Sequence, residues 1–312
     1  MKKIMFVAAA AIAMASCGVD YQKTASGLVY KIYEGKGGDS AKPGNYVKCN
    51  VQVFLTDRTG KEDSVLTPQS DFPNYLPCDT SKRAEASFME IIPKLREGDS
   101  AVINVSVDTL KSKRLINPAD SVVFVKGSNI QYRVKVTRVF KEEKDVMADY
   151  EKETKLEEAR QTKQVEDYIA GKGLKDKAKK TPHGAYVVVD NAGDAALKAD
   201  SGKQASIKYK GYLMSDNSKI FDTNMDSSKG HTDPIDVVVG QSMVIPGWHD
   251  ALPFFGKGGS GKILIPSFLG YGPQGRQPEI LPNTNLIFDI EVLDVKDAPP
   301  MPERRMPGQM PQ

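Results

Sequence analysis

The chain has 312 residues, of which 40% are hydrophobic, enough for two packed domains and too many for a disordered chain. It carries 43 basic and 40 acidic residues, a formal net charge of +3. This balance lacks the positive excess that nucleic-acid binding requires, and no Lys/Arg run is dense enough for an anionic membrane surface. Nucleic-acid binding and electrostatic binding to an anionic membrane surface are therefore excluded.

The N-terminus has the pattern of a secretion signal. Lys2 and Lys3 precede an apolar run over residues 4–15, which is too short to span a membrane. Small residues then lead to Cys17, an arrangement that resembles a lipobox with this cysteine as the lipidated first residue of the mature chain. We expect residues 1–16 to be a signal peptide, residues 17–23 a lipidated tether, and the protein a membrane-anchored lipoprotein. Gly18, rather than Asp, follows the cysteine, which favours the outer membrane. We expect the protein to face the periplasm, although Gly18 does not determine this side.

Two further cysteines, Cys49 and Cys78, would lie in a compartment that permits disulfides. Cys49 shares the apolar face of an alternating segment with Val47 and Val51, which favours a buried free thiol. A bridge between the two cysteines is the alternative, and sequence does not give the distance that would decide it.

The chain contains an internal repeat. Residues 24–32 resemble residues 181–189, and each segment is followed by a turn with glycine and an alternating segment, at 47–55 and at 205–213. Gly98 and Gly258 precede the next pair, at 101–105 and 262–265, and each copy closes on a long alternating segment, at 129–139 and 285–295. Period-2 alternation between Gly- and Pro-bearing turns predicts two antiparallel β-sheet domains, at 24–140 and 181–297.

Residues 141–180 predict a helical linker. The segment 142–163 is rich in Ala, Leu, Glu and Lys, and Val165, Tyr168 and Ile169 add an apolar stripe before Gly171 and Gly173 end the helix. A solvated spacer helix is favoured over a dimerisation helix, because sustained heptads are lacking. The tail over 298–312 has five prolines and no periodicity, which predicts disorder.

In the second repeat, aromatic and branched residues stand at the ends of several predicted elements. Trp248 follows a short apolar run, Phe221 ends one strand, and Phe288 lies in the last strand. Such residues either fill a core or converge into an apolar cup, in which the Tyr271 hydroxyl, the Asp222 carboxylate and a backbone amide would orient a ligand.

Taken together, these residues resemble one family, the FKBP-type peptidyl-prolyl isomerases, over nearly all of 181–297. The resemblance implies an α+β fold in which an antiparallel sheet wraps around a short helix, and the first repeat would be a degenerate copy of it. The matching segments are YKGYL at 209–213, FD at 221–222, VGQSMVIPGW at 239–248, IPSFLGYGP at 265–273 and LPNTNLIFDIE at 281–291.

The resemblance also implies a site. Trp248 would form the floor of an apolar pocket, Asp222 and Tyr271 would lie at its rim, and the Ile245 amide and Tyr271 hydroxyl would hold substrate carbonyls. The reaction would be rotation about an X–Pro bond of an exported polypeptide, which needs no nucleophile, metal or cofactor. A macrolide inhibitor is a further expected ligand. The residues that would flank Trp248 are Tyr209, Phe221, Val244, Ile245 and Phe288.

Some positions depart from the family pattern. Ile235 replaces a usual aromatic, Arg276 and Glu279 occupy loop positions that are more often apolar or small, and the stretch 223–233 is longer than usual. In the first repeat, Val51, Glu62, Phe88 and Tyr132 stand by eye at the places of Tyr209, Phe221, Trp248 and Phe288, which predicts an inactive copy. A non-catalytic, client-binding lipoprotein is the alternative function.

Two other patterns carry no chemistry. The G-x-G-x-x-G at 256–261 lies between a predicted helix and a strand, the reverse of a dinucleotide site, and reads as a turn. His183, His231 and His249 lack ligand spacing and are predicted to be surface residues.

Overall fold

A computed structural model describes residues 21–57, 59–67, 72–81, 87–116, 124–241 and 244–299. The predicted signal peptide, Cys17 and all but the first two residues of the predicted tail lie outside the described residues. The chain divides into unit 1, which ends at Glu153, and unit 2, which begins at Thr154.

Unit 1 is built on an antiparallel sheet whose strands have the order β1-β2-β6-β7-β3-β4, with β5 paired to β3. A 3-10 segment at Phe88–Lys94 contains Pro93, which cannot donate to a helical ladder and so is compatible with only a short helix. The elements are β1 (Gln22–Lys23), β2 (Val29–Tyr33), β3 (Tyr46–Thr56), β4 (Glu62–Thr67), β5 (Asn74–Pro77), β6 (Ser100–Ser106), α1 (Val107–Ser112) and β7 (Asn129–Phe140).

Unit 2 repeats this plan with the strand order β8-β9-β13-β14-β10-β11 and β12 paired to β10. Helix α2 (Glu143–Gly171) begins in unit 1 and ends in unit 2. The other elements are β8 (Ala178–Lys180), β9 (Tyr186–Asn191), β10 (Lys203–Leu213), β11 (Asp216–Thr223), β12 (Ile235–Val238), α3 (Pro246–Ala251), β13 (Ser260–Ile265) and β14 (Leu286–Asp297), with short 3-10 turns at Ser227–Lys229, Leu252–Phe254 and Ser267–Leu269.

The registers of the two sheets correspond. The pairing of β3 with β7 shifts between Lys48 and Cys49, and the pairing of β10 with β14 shifts between Ser206 and Ile207. One bulge at the same place in both long strands means that the two sheets bend in the same way. The predicted α+β fold of two antiparallel sheets with short helices, joined by a helix, is confirmed.

Alternation along the strands decides which side chains enter each core. In unit 2, Ile207, Tyr209, Ile263 and Phe288 point to the face that packs on α3 and the turn after it. In unit 1, Cys49, Ile103 and Val136 make the corresponding core with Ile91 and Ile92 of the 3-10 segment.

The part of α2 in unit 2 is not a solvated spacer. Val165 and Ile169 are buried on the outer face of the second sheet, where they pack with Tyr212, Leu264 and Ile287. Because the outer face of this sheet is apolar, it needs this cover, and residues 154–171 are therefore part of unit 2 rather than a free linker.

Cys49 and Cys78 are both buried in the core of unit 1 as free thiols, the favoured one of the two sequence interpretations. Burial raises the pKa of the Cys49 thiol to about 12. No helix within the described part of the chain is long and apolar enough to cross a membrane.

Candidate active site

The short helix α3 presents Trp248 to the core of unit 2. Ile245 is the N-cap with an extended backbone, and Pro246 takes the first helical position, where its missing N–H costs nothing. Gly247 allows this helix to lie against β13, because a Cβ there would come within 2.6 Å of the Ile265 side chain. Trp248 then follows on the inward side with 3% of its surface exposed.

Trp248 forms a cluster with three other aromatic rings. Its ring lies edge-to-face with Tyr209 at 5.4 Å between centroids and with Phe288 at 5.2 Å. Phe221 packs on Phe288 in the same manner at 5.5 Å. Edge-to-face contacts are favourable for aromatic pairs and hold each ring at a defined angle. Val244, Ile245 and Tyr271 are partly buried against the same cluster.

Gly211 makes room for these rings. It lies in β10 opposite Phe288 of β14. A Cβ at this position would come within 2.6 Å of the Phe221 ring and 2.8 Å of the Phe288 ring. The glycine is therefore required by the packing of the aromatic cluster.

Asp222 connects the wall of the pocket to its rim. Its Oδ2 accepts a hydrogen bond of 2.9 Å from the Tyr209 hydroxyl, and its Oδ1 lies 3.1 Å from Nε2 of His231. Nη1 of Arg276 lies 3.9 Å from Oδ2. Burial, followed by the bond to Asp222, raises the pKa of Tyr209 well above the ordinary tyrosine value. The hydroxyl therefore stays a hydrogen-bond donor, and a carboxylate with two basic neighbours is its acceptor.

Tyr271 lies at the other side of the rim. Its hydroxyl is 3.5 Å from Nη1 of Arg276, and among the described residues it makes no hydrogen bond with Asp222. Asp222 instead holds the wall of the pocket, through its hydrogen bond with Tyr209. Arg276 lies between the two and contacts both.

The long stretch 223–233 is anchored from inside by Asn224. The Asn224 side chain accepts a 2.6 Å bond from the Tyr209 N–H and donates to the carbonyl oxygens of Ile207 and Asp233 at 3.1 and 3.0 Å. Since all three bonds are made by one fully buried amide, this residue ties the stretch to β10 beside the pocket.

All eight residues predicted for the site lie in one cluster: Tyr209, Phe221, Asp222, Val244, Ile245, Trp248, Tyr271 and Phe288. Sequence reasoning missed three contributors, namely His231, Gly211 and Asn224. His231, predicted as a surface residue, is 41% exposed in its side chain and still contacts Asp222. Ile235, the departure in β12, is partly buried against the cluster.

The corresponding ring pair in unit 1 has a different arrangement. Phe88 and Tyr132 stack on each other with 4.5 Å between centroids and only 18° between planes. Val53, opposite Tyr132, stands where unit 2 has Gly211. One sequence match was wrong, because the register places Leu66, and not Glu62, at the bulge that carries Phe221 in unit 2.

Unit 1 has a groove elsewhere. It has a volume of about 950 Å³ and lies on the sheet face opposite to the Phe88–Tyr132 pair, where Asn104, Gln131 and Arg133 line it. In unit 2, Leu264 and Ile287 occupy the places of Asn104 and Gln131 and are covered by α2. The described part of the chain contains no group of three His, Cys, Asp or Glu side chains arranged for a metal ion.

The geometry agrees with comparisons to known proteins. A model of the family described as FKBP-type peptidyl-prolyl cis-trans isomerase matches residues 196–293. An FK506-binding protein of Neisseria meningitidis serogroup A is 32% identical over 112 residues, 36% of this chain and 97% of that protein. Because almost the whole of that relative is covered, the chain belongs to the FKBP-type peptidyl-prolyl cis-trans isomerase family, as the sequence resemblance implied.

Longer relatives match only in part. FkpA of Buchnera aphidicola, named as an FKBP-type peptidyl-prolyl cis-trans isomerase, is 36% identical over 118 residues, 38% of this chain and 43% of FkpA. The crystal structure of FkpA from Escherichia coli is 29% identical with a TM-score of 0.38, covering 50% of this chain and 70% of that one. The chain therefore spans less than half the length of the Buchnera relative.

Proposed function

We propose that unit 2 catalyses cis–trans isomerisation of X–Pro bonds in polypeptides and that unit 1 does not. The observation that supports this most strongly is the edge-to-face arrangement of Tyr209 and Phe288 about Trp248, beside a carboxylate that the Tyr209 hydroxyl holds. In this proposal the rings line an apolar cup for the proline ring, and Asp222 with Arg276 lies at its rim. In unit 1, Phe88 and Tyr132, at the places of Trp248 and Phe288, stack nearly parallel instead of edge-to-face, and Val51 replaces Tyr209.

The chemistry follows from the electronic structure of the amide. Rotation about a peptide bond meets a barrier of about 18–20 kcal/mol because the planar amide loses resonance as it twists. The twisted amide has a more localised carbonyl dipole and a less conjugated nitrogen, and a dry, shaped site stabilises it better than it stabilises the planar ground state. No bond to the protein forms.

Three groups in the pocket bind the substrate and stabilise the twisted amide. The Trp248 ring, buried beneath the cup, carries the proline ring. Ile245 is the N-cap of α3, so its N–H lies outside the helical ladder and is available to a substrate carbonyl. The Tyr271 hydroxyl supplies a second donor from the rim, where Arg276 lies within 3.5 Å of it.

A protease-coupled isomerisation assay on the full-length chain tests this proposal. Trp248→Leu should lower kcat/KM at least about tenfold, which corresponds to about 1.4 kcal/mol of lost transition-state stabilisation. The matched control is Phe88→Leu at the corresponding place of unit 1, and it should leave kcat/KM unchanged. If the folded wild-type chain gives no rate enhancement, the client-binding alternative becomes the better account.

We propose polypeptides with exposed proline as substrates and a macrolide as a competitive ligand of the same pocket. The Neisseria relative is named an FK506-binding protein, which makes FK506 the first compound to test. Arg276, whose Nη1 lies 3.9 Å from Oδ2 of Asp222 at the rim, changes the surface that a macrolide would meet, so inhibition of the wild type should differ from inhibition of an Arg276→Ala variant.

We also propose that the chain is a lipoprotein anchored through Cys17 to the outer membrane and facing the periplasm. The support is in the sequence alone: a basic start, an apolar run over 4–15 and small residues before the cysteine. Metabolic labelling with a radioactive fatty acid, followed by membrane fractionation, tests this. Cys17→Ser should lose both the label and membrane association, and label retained in that variant would contradict the proposal.

A further inference from the structure

The backbone N–H groups of the turn that leads to Tyr271 bond to side chains from outside the turn. The 3-10 segment Ser267–Leu269 begins after Pro266, whose side chain makes no cap bond. The first N–H groups of such a turn have no partner within it. Here the Ser267 N–H donates to Oδ1 of Asn285 at 2.9 Å, and the Phe268 N–H donates to Oε1 of Gln161 at 2.8 Å.

Gln161 comes from α2, more than one hundred positions earlier in the chain. Only 2% of its surface is exposed. Its Nε2 donates to Oε1 of Glu157 at 2.7 Å, which orients the amide so that the oxygen faces Phe268. The same Nε2 is 3.4 Å from Oδ1 of Asn283.

These contacts hold both ends of residues 268–283, which we call the rim loop. Phe268 begins the loop and Asn283 ends it, and the Asn283 N–H donates to the carbonyl of Gly272, the residue after Tyr271, at 2.9 Å. Asn285, just beyond, donates to the backbone oxygen of Gln161 at 3.3 Å and to Oε1 of Gln164 at 3.0 Å. Helix α2 therefore contacts the rim loop at both of its ends.

We propose that Gln161 is a positioning residue for the isomerase site, acting through the rim loop on Tyr271 and Arg276. This inference rests on the proposed function of unit 2. The hydrogen bonds of Gln161 go to Glu157, to the rim loop and to Asn285, so we expect the residue to affect the donor at the rim rather than the apolar cup over Trp248. A donor displaced by about 1 Å is costly in catalysis, because the stabilisation it provides depends on its geometry.

The test compares Gln161→Met with Lys163→Met in the full-length chain. Both introduce methionine into the same helix, but Lys163 is exposed and forms an ion pair with its helical neighbour Asp167. Gln161→Met should lower kcat/KM about tenfold through kcat, with KM nearly unchanged, since the cup that binds proline is intact. Lys163→Met should match the wild type.

Two further measurements separate positioning from simple stability. Amide hydrogen exchange should become faster in residues 267–272 of Gln161→Met, at a temperature where both variants are folded. The exchanged pair Glu157→Gln with Gln161→Glu keeps a donor at 157 and an acceptor for the Phe268 N–H, so it should restore kcat/KM to within about twofold of the wild type.

The outcomes are distinct. An active wild type whose Gln161→Met variant keeps its kcat/KM overturns the inference, as does an exchanged pair that is as slow as Gln161→Met. If the wild type is inactive but amide exchange in residues 267–272 becomes faster in Gln161→Met, the proposed function is overturned. Gln161 then anchors the loop without a role in catalysis. An inactive wild type with unchanged exchange overturns both.

Discussion

The Tyr209 hydroxyl donates a 2.9 Å hydrogen bond to Oδ2 of Asp222, and the same tyrosine ring lies edge-to-face on Trp248. One side chain therefore forms part of the apolar wall and also holds the carboxylate at the rim. Asp222 has two more neighbours in His231 and Arg276, so the network does not depend on Tyr209 alone.

Tyr209→Phe keeps the ring and removes the bond to Asp222. We expect a loss of about 1 kcal/mol in the free energy of unfolding and a decrease of a few-fold in kcat/KM, because Asp222 retains its basic neighbours. Chemical denaturation and the isomerisation assay measure the two effects. The matched control is Tyr212→Phe, which removes a hydroxyl bond to Asp289 on the outer sheet face. Equal losses of activity in both variants would contradict a role for the Asp222 bond.

Gly211→Ala should disrupt the aromatic cluster, because the new methyl would overlap the Phe221 and Phe288 rings. Overpacking of this kind costs about 1–3 kcal/mol, and the displaced rings should also reduce activity. Gly171→Ala is the control, since a Cβ there meets nothing within 4 Å and the site is the last residue of α2. Thermal unfolding should show a lower midpoint for Gly211→Ala and an unchanged or higher one for Gly171→Ala.

Ile169→Ala should destabilise unit 2 by about 2–4 kcal/mol, as for other buried Ile or Leu truncations. Leu156→Ala, at a position of the same helix that is 55% exposed, should change stability by less than about 0.5 kcal/mol. Urea unfolding of both variants measures the difference. Similar small effects in the two variants would mean that the end of α2 is a spacer after all.

Cys49 makes the stability of unit 1 dependent on alkaline pH. Burial raises the pKa of its thiol to about 12, above the value of about 8.5 for an unfolded cysteine. The stabilising effect of the protonated thiol is thus complete below about pH 8.5 and is lost as pH rises toward 12, at about 1.4 kcal/mol per pH unit. Urea unfolding of unit 1, followed by circular dichroism between pH 8 and 10, should show this slope, and Cys49→Ala should reduce it. An equal slope in the wild type and in Cys49→Ala would show that the Cys49 thiol does not cause the pH dependence.

Much of this architecture was visible in the sequence because alternation and turn residues repeat in the two halves. The predicted segments at 129–139 and 285–295 differ from β7 and β14 by only one or two residues at their ends, since period-2 burial marks each strand. The site residues Trp248 and Phe288 were predicted from the resemblance of segments 239–248 and 281–291 to the FKBP-type family, because aromatics at element ends alone fit a filled core equally well.

The contributors that sequence reasoning missed share a physical reason. Asn224 and Gln161 are polar residues whose value lies in the partners that folding brings to them, and nothing in their neighbours along the chain indicates burial. The solvated interpretation of α2 failed for a related reason. Val165 and Ile169 form a short apolar stripe, and only the apolar outer face of the second sheet shows what that stripe covers.

The chain contains a single tryptophan, and this residue is Trp248. Its indole is buried between Tyr209 and Phe288, while unit 1 has tyrosine and phenylalanine only. Intrinsic tryptophan fluorescence of the intact chain therefore reports on one pocket, without a label and without contribution from the degenerate unit. A ligand that enters the cup changes that emission, whereas one that binds unit 1 leaves it unchanged.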